Sequence, residues 1–297
     1  MTATPAPRRL RIPLVCDVVV VSEPDQIQRV EHSGDVDRLH RYETAALPWW
    51  VRRFFRATKF HDDTRDLWFC PMEPASAPSY RPRRAYLEDQ AKLGYESDDV
   101  LRIAELVAAR ASDDALAYAM VQVVNRRFFG QEVPVSVTQA AKHTLQNLGA
   151  ALVPWQYRRG VESQKRIMNY CAETLPEGTH RVDVGHNIGE VVQATAGALR
   201  RVAADLDTPV ERIFTQHAPT PQVLRIAVRD STFGGLLRSP TRAGETVVIL
   251  KIGIAARRTG NILFTFGTGG PERACVFQEF FLSFMRDLQA TLRARRS

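Results

Sequence analysis

The sequence predicts a mainly α fold with a small β region, and three observations carry that expectation. Apolar residues recur at helical spacing from about residue 84 to about 215. The stretch from 222 to 256 instead alternates, is rich in Val and Ile, and is punctuated by Gly-Gly and Ala-Gly turns. Finally, apolar residues make up 44% of the chain and charged residues 25%, the balance of a soluble protein with a packed core.

The elements follow in order. The start, "MTATPAPRRLR", lacks the apolar core of a signal peptide, so residues 1–12 are expected to be a flexible leader on a cytoplasmic protein. Residues 13–297 are expected to form a single domain. "CDVVVVS" (16–22) is a β-branched run and predicts a strand, and "EPDQIQRVEHSGDVDRL" after it reads as a helix that Pro24 can open. "LPWWVRRFFRATKF" (47–60) reads as a helix with an aromatic and basic face. Residues 71–84 are proline-rich and read as a loop.

Two helices then open on the same signal, Ser97-Asp98-Asp99 and Ser112-Asp113-Asp114. Serine caps free amide groups, and the aspartates complement the helix dipole. Helices also fit "VSVTQAAKHTLQNLG", "WQYRRGVESQKRIMNYCAETL" and "NIGEVVQATAGALRRVAADL". Residues 222–256 read as short strands, and a last helix follows Cys275.

Composition also excludes some function classes. No apolar run approaches the roughly 20 residues of a membrane span, so no membrane role is expected. The chain has 40 basic and 33 acidic residues, a net charge of +7. Its densest basic clusters, "RPRR" and "RARR", are short and not interleaved with aromatics, so no nucleic-acid platform is expected. The charge suits a solvated surface or an acidic partner. Cys16, Cys70, Cys171 and Cys275 form no CxxC pair, which argues against a zinc ribbon or a disulfide framework.

The most informative stretch is "FTFGTGGPERACVFQEFFLSFMRDLQ". A glycine-bearing loop leads to Cys275 and then to an amphipathic helix. A cysteine at a helix N-terminus has a lowered pKa, because the dipole favours thiolate. Thiolate is a nucleophile or a metal ligand, flanking glycines let backbone approach a flat object, and Arg273 can pair with a carboxylate. Heme held by a thiolate, with an arginine on a propionate, fits that set. A small buried apolar cysteine is the alternative.

With these residues in view, the carboxy-terminal third resembles the cytochrome P-450 family, whose members carry Phe-Gly-x-Gly-x-(His/Arg)-x-Cys-x-Gly before their last long helix. Here Phe266-Gly267-Thr268-Gly269 is followed by Gly270-Pro271-Glu272 and Arg273-Ala274-Cys275. Two extra residues separate Gly269 from Cys275, and Phe277 replaces the last glycine. "TQHAPTPQVLR" resembles the family's helix-end stretch and places Arg225 where a propionate-binding arginine is expected. "TFGGLLRSPTRAGETVVIL" resembles its strand–turn–strand. Near the front, "VVVVSEPDQIQRVEH" resembles the strand and helix near its substrate pocket. Trp49 and Arg53 match its Trp-x-x-x-Arg spacing, and four residues apart they share a helix face.

The resemblance implies a shortened cytochrome P-450-like helical fold and a heme b cofactor. Cys275 would be the axial iron ligand, and Arg273, Arg225, Arg53, Trp49 and Phe266 would line the heme. It implies a monooxygenase, a peroxygenase or a hydroperoxide-rearranging enzyme acting on an apolar small or medium-sized molecule. A monooxygenase would draw electrons from an acidic redox partner such as a ferredoxin. The family's Glu-x-x-Arg pair, however, would fall on Arg212 and Thr215 and is absent. Its oxygen-activating acid and alcohol fall on Asn187 and Ile188. His186 and Glu190, four apart, are then the candidate acid–base groups beside Asn187. These departures support a second reading, a heme-free helper or binding subunit of the same fold. A third is an unrelated helical binding protein.

Other motifs carry less. His61, Asp62, Asp63 and Asp66 are oxygen-rich, but their spacing matches no tight ligand set and reads as a polar turn. "GTGG" lacks the Lys-Ser/Thr of a phosphate loop. His217 precedes Ala-Pro and reads as a structural corner.

Overall fold

The Val-rich run does form a strand, β2 (Cys16–Val21), at the heart of a five-stranded sheet. In the computed structural model the described residues are 6–12, 16–37, 49–58, 60–62, 65, 67–69, 77–144, 153–176, 180–269 and 274–296. They group into two compact units. One comprises Met1–Arg52, Pro71–Pro74 and Glu211–Cys275; the other comprises Arg53–Cys70, Ala75–Val210 and Val276–Ser297.

The first unit holds the sheet, in the order β1-β2-β7-β6-β3. β1 (Arg8–Ile12) runs antiparallel to β2, although it lies at the end of the expected flexible leader. It is tied down by the Arg9 guanidinium, whose Nε donates to Asp17 at 2.9 Å and whose Nη1 donates to the Ser239 carbonyl at 2.7 Å. Burial pushes the Asp17 carboxyl up, but the bonds from Arg9 and Thr246 outweigh this and hold it below its ordinary value. β7 (Thr246–Leu250) pairs parallel with β2, and β6 (Val223–Ala227) pairs antiparallel with β7. β3 (Val36–Asp37) closes the edge against β6.

Side chains alternate across a strand. Val19 and Val21 therefore share one face with their partners Val248 and Leu250, and all four are fully buried. That face packs on Ile27 and Val30 of α1 (Pro24–His32) and on Phe264 of a 3-10 turn (Ile262–Phe264).

α1 is shorter than the sequence suggests. It stops at Ser33, whose hydroxyl accepts the Asp35 N–H at 3.0 Å, and Gly34 then turns the chain at φ +71°. "IGIAARRT" is likewise a helix, not a strand. In the structure Ile252–Thr259 lie outside the sheet and bury Ile252, Ala255 and Ala256 at helical spacing.

The second unit is helical apart from one antiparallel strand pair, β4 (His61–Asp62) with β5 (Leu67–Trp68), so His61 and Asp62 of the expected polar turn are strand residues. Numbering helices along the chain, α2 is Trp49–Thr58, α3 Tyr80–Lys92, α4 Ser97–Ala108, α5 Asp113–Phe129, α6 Val135–Ala141, α7 Pro154–Thr174 and α8 Arg181–Ala204. α9 (Val210–Gln216) and α10 (Ile252–Thr259) belong almost wholly to the first unit, and α11 (Gln278–Ala294) closes the second. α3 begins inside the stretch read as a loop, because Pro82 in a first turn costs no helical hydrogen bond. Ser112 caps α5 as expected, accepting the Ala115 N–H at 3.2 Å. α4 is capped one residue earlier than expected, at Glu96, whose N–H donates to Asp99 at 3.3 Å. α8 starts ahead of the expected helix and buries Val184, Ile188 and Leu199.

Candidate functional site

The cysteine loop starts from a firm base. Phe264 is 2% exposed in the core of the first unit, and the Thr265 hydroxyl donates to the Phe214 carbonyl of α9 at 3.2 Å. The chain then turns at Gly269, where φ is +90°. A Cβ there would meet the Phe264 ring at 2.6 Å and Gln28 of α1 at 3.0 Å, so the position needs glycine for both space and conformation. The loop closes where the Cys275 N–H donates to the Phe266 carbonyl at 2.8 Å. Cys275 is exposed.

Cys275 does not sit at the helix mouth. α11 begins at Gln278 with Phe277 as its N-cap residue, so the dipole argument for this thiol loses force with the added distance. Phe277, in place of the family's glycine, packs edge-on against Phe280 at 6.1 Å and near Phe128 at 6.5 Å. Arg273 lies outside the described residues, as do Cys70 and two of the oxygen-rich turn residues, Asp63 and Asp66. Among the described residues no cluster of His, Cys, Asp and Glu has the makings of a metal site.

Arg225 is 5% exposed. It pairs with Val248 across β6 and β7, so its side chain stands on the sheet face that α1 covers. There Nε donates to Glu31 at 2.5 Å and Nη2 donates to the same carboxylate at 3.1 Å. Nη1 donates to the Leu224 carbonyl at 2.8 Å. The Thr268 hydroxyl of the cysteine loop donates to Glu31 at 3.3 Å. Sequence reasoning singled out Arg225 and missed Glu31, 194 residues away. The place of the family's Glu-x-x-Arg pair holds no ion pair between its two positions. Arg212 is exposed there, and the buried Thr215 hydroxyl donates to the Arg212 carbonyl at 3.0 Å.

In the second unit, His186, Asn187 and Glu190 lie together on α8. His186 Nε2 stands 3.6 Å from Glu190, and its ring stacks on Phe69 at 3.6 Å between centroids. Ile188 is fully buried. A Cβ at Gly185 would touch Met168 at 3.3 Å and both Ile167 and Phe60 at 3.4 Å, so α8 packs tightly at this point. Arg53 on α2 stacks on Tyr157 with 4.4 Å from guanidinium carbon to ring centre, while Trp49 is 56% exposed. A feature that sequence reasoning missed lies at the start of α8. Arg83 of α3 makes a bidentate pair with Asp183, both bonds 2.8 Å and both side chains 1% exposed.

Cys275 offers an exposed thiol on a loop anchored at its root, the kind of donor that could hold a heme iron as thiolate. Arg225 already has a carboxylate partner. No described helix is long and apolar enough to cross a membrane.

By sequence, no protein-family model and no curated protein matches the chain. Solved structures do match. The Bacillus subtilis 168 cytochrome P450 PksS of the bacillaene polyketide synthase superposes with a TM-score of 0.62 at 11% identity, covering 97% of this chain and 85% of that one. A zebra fish cytochrome P450 solved with progesterone gives 0.61 at 13% identity, covering 97% and 88%. A six-coordinated cytochrome P450 from Thermus thermophilus gives 0.56 at 14% identity, covering 96% and 86%. The chain has a cytochrome P450-like fold, mostly helical with a small mixed sheet, in a divergent and shortened form.

Proposed function

We propose that the chain is a heme-thiolate oxidative enzyme in which Cys275 would hold the iron of heme b. The observation that carries this reading is the exposed Cys275, held by its own N–H on the Phe266 carbonyl within a cytochrome P450-like fold. A thiolate-bound heme supplies oxidative chemistry by donating electron density that favours O–O cleavage. Arg273 and Arg53 would pair with its propionates, and Phe266 and Trp49 would be its apolar neighbours. Arg225 is instead bidentate on Glu31.

On α8 neither Asn187 nor Ile188 can pass a proton as an Asp/Glu–Thr pair would. His186 and Glu190 are the titratable pair beside them. An oxidant that already contains an O–O bond lowers the demand for proton delivery. Peroxygenase or hydroperoxide-rearranging chemistry on an apolar small or medium-sized molecule is therefore favoured over reductase-driven monooxygenation. The progesterone bound by the zebra fish neighbour supports an apolar ligand. For reductase-driven turnover, the net charge of +7 suits an acidic donor such as a ferredoxin.

The test is spectroscopic. Protein from heme-supplied cells should be red and, reduced under carbon monoxide, should show a thiolate-shifted Soret band that Cys275→Ala abolishes. In the loaded protein, peroxide-driven product formation should exceed reductase-driven formation, because lost general acid catalysis costs roughly 10²–10⁴-fold. Tightly coupled reductase-driven oxidation without peroxide activity would overturn that preference. Colourless protein would favour the second reading, a heme-free helper subunit. The specific observations behind that alternative are the close packing at Gly185 and the missing ion pair between positions 212 and 215.

A further inference from the structure

We infer that the buried Glu31–Arg225 pair, reaching Thr268, is a positioning device for the cysteine loop. Glu31 belongs to α1, Arg225 to β6 and Thr268 to the loop, so one carboxylate ties three separate elements of the first unit together.

Three observations carry the inference. The side chains of the pair are 7% and 8% exposed, so their bonds form largely out of water, where they are strong. Oε2 of Glu31 is shared, accepting from Arg225 Nη2 at 3.1 Å and from the Thr268 hydroxyl at 3.3 Å. Beside Thr268, Gly269 has no room for a Cβ between Phe264 and Gln28, a second contact of the loop with α1. Together with the root at Phe264–Thr265 and the closure at Cys275, these contacts anchor the loop. Arg225 and Thr268 thereby act on Cys275 without touching it, as positioning residues. The importance of that position rests on the heme-thiolate reading above.

The experiment uses the heme-free full-length chain, so it stands whether or not heme binds. Deuterium exchange would be followed in peptides covering 264–275 and in peptides covering β6 and β7, and the rate of Cys275 alkylation by N-ethylmaleimide would be recorded. Thr268→Val removes the loop's hydroxyl and leaves the ion pair intact. It should speed loop exchange and Cys275 alkylation by roughly tenfold, the worth of one hydrogen bond to a charged group, with β6 and β7 exchange unchanged. Thr268→Ser should restore both rates. Glu31→Gln should loosen the loop at least as much, and should loosen β6 as well.

Wild-type loop exchange and alkylation in Thr268→Val would overturn the inference. Equal acceleration in the loop and in β6 and β7 would also overturn it, because the threonine would then serve the fold at large. If Glu31→Gln fails to fold, the two Thr268 variants decide the matter alone. A wild-type chain that binds no heme sinks the heme-thiolate reading and leaves this tether standing on its own measurement.

Discussion

Among the described thiols, Cys171 and Cys275 have opposite chemistries. Cys171 is buried in α7, and burial pushes its pKa up to about 12, with Arg181 opposing this only in part. Thiolate is the reactive form, so at pH 8 its reactive fraction is on the order of one part in ten thousand. Cys275 is exposed. Alkylation of the native protein at pH 8, mapped by peptide mass spectrometry, should label Cys275 and spare Cys171 until the chain is denatured. Equal labelling in the native state would contradict the burial of α7. The sequence made Cys275 legible through its glycines and its spacing. It could not separate a buried from an exposed thiol, because burial is set by what α7 packs against.

At the scale of elements, α3 is joined to α8 by the Arg83–Asp183 pair. Nothing local announces it, since the partners are 100 residues apart, Arg83 lies in a stretch that reads as a loop and Asp183 lies ahead of the expected helix. Tertiary packing removed both from water, and a buried charge must then be matched. Asp183→Asn takes away the carboxylate that makes the bidentate pair with the buried Arg83 guanidinium. It should cost about 3–5 kcal/mol of stability, read as a lower urea midpoint. Replacing the pair together, Arg83→Met with Asp183→Leu, should cost much less than the single change. A single variant within about 0.5 kcal/mol of wild type would show that water reaches the pair. The misread helix at Ile252–Thr259 has a similar cause. "KIGIAA" is apolar at both strand and helix spacing, and the sheet order left it no place beside β7.

At the scale of the whole molecule, a ligand that binds only the folded chain must stabilise it by mass action. Hemin at about a hundred times its dissociation constant contributes roughly 2.7 kcal/mol. In a domain of this size that corresponds to a rise of several degrees in melting temperature. The rise should appear on hemin addition to the wild-type chain and shrink sharply in Cys275→Ala. A flat response would favour the heme-free helper reading.

The sequence by itself determined the helix periodicities, the Val-rich strands, the Ser112 cap and the glycine-bearing approach to Cys275. Each depends on neighbours within a turn or a strand, where spacing and backbone preference act directly. Only the tertiary structure decided that Arg225 faces Glu31 and that Arg83 faces Asp183. It also decided that Phe277 joins an aromatic cluster and that Gly185 is closed in by Phe60, Ile167 and Met168. The physical reason is range. A charge or a ring carries a strong local demand for a partner, but which partner it meets is fixed by chain crossings tens to hundreds of residues away.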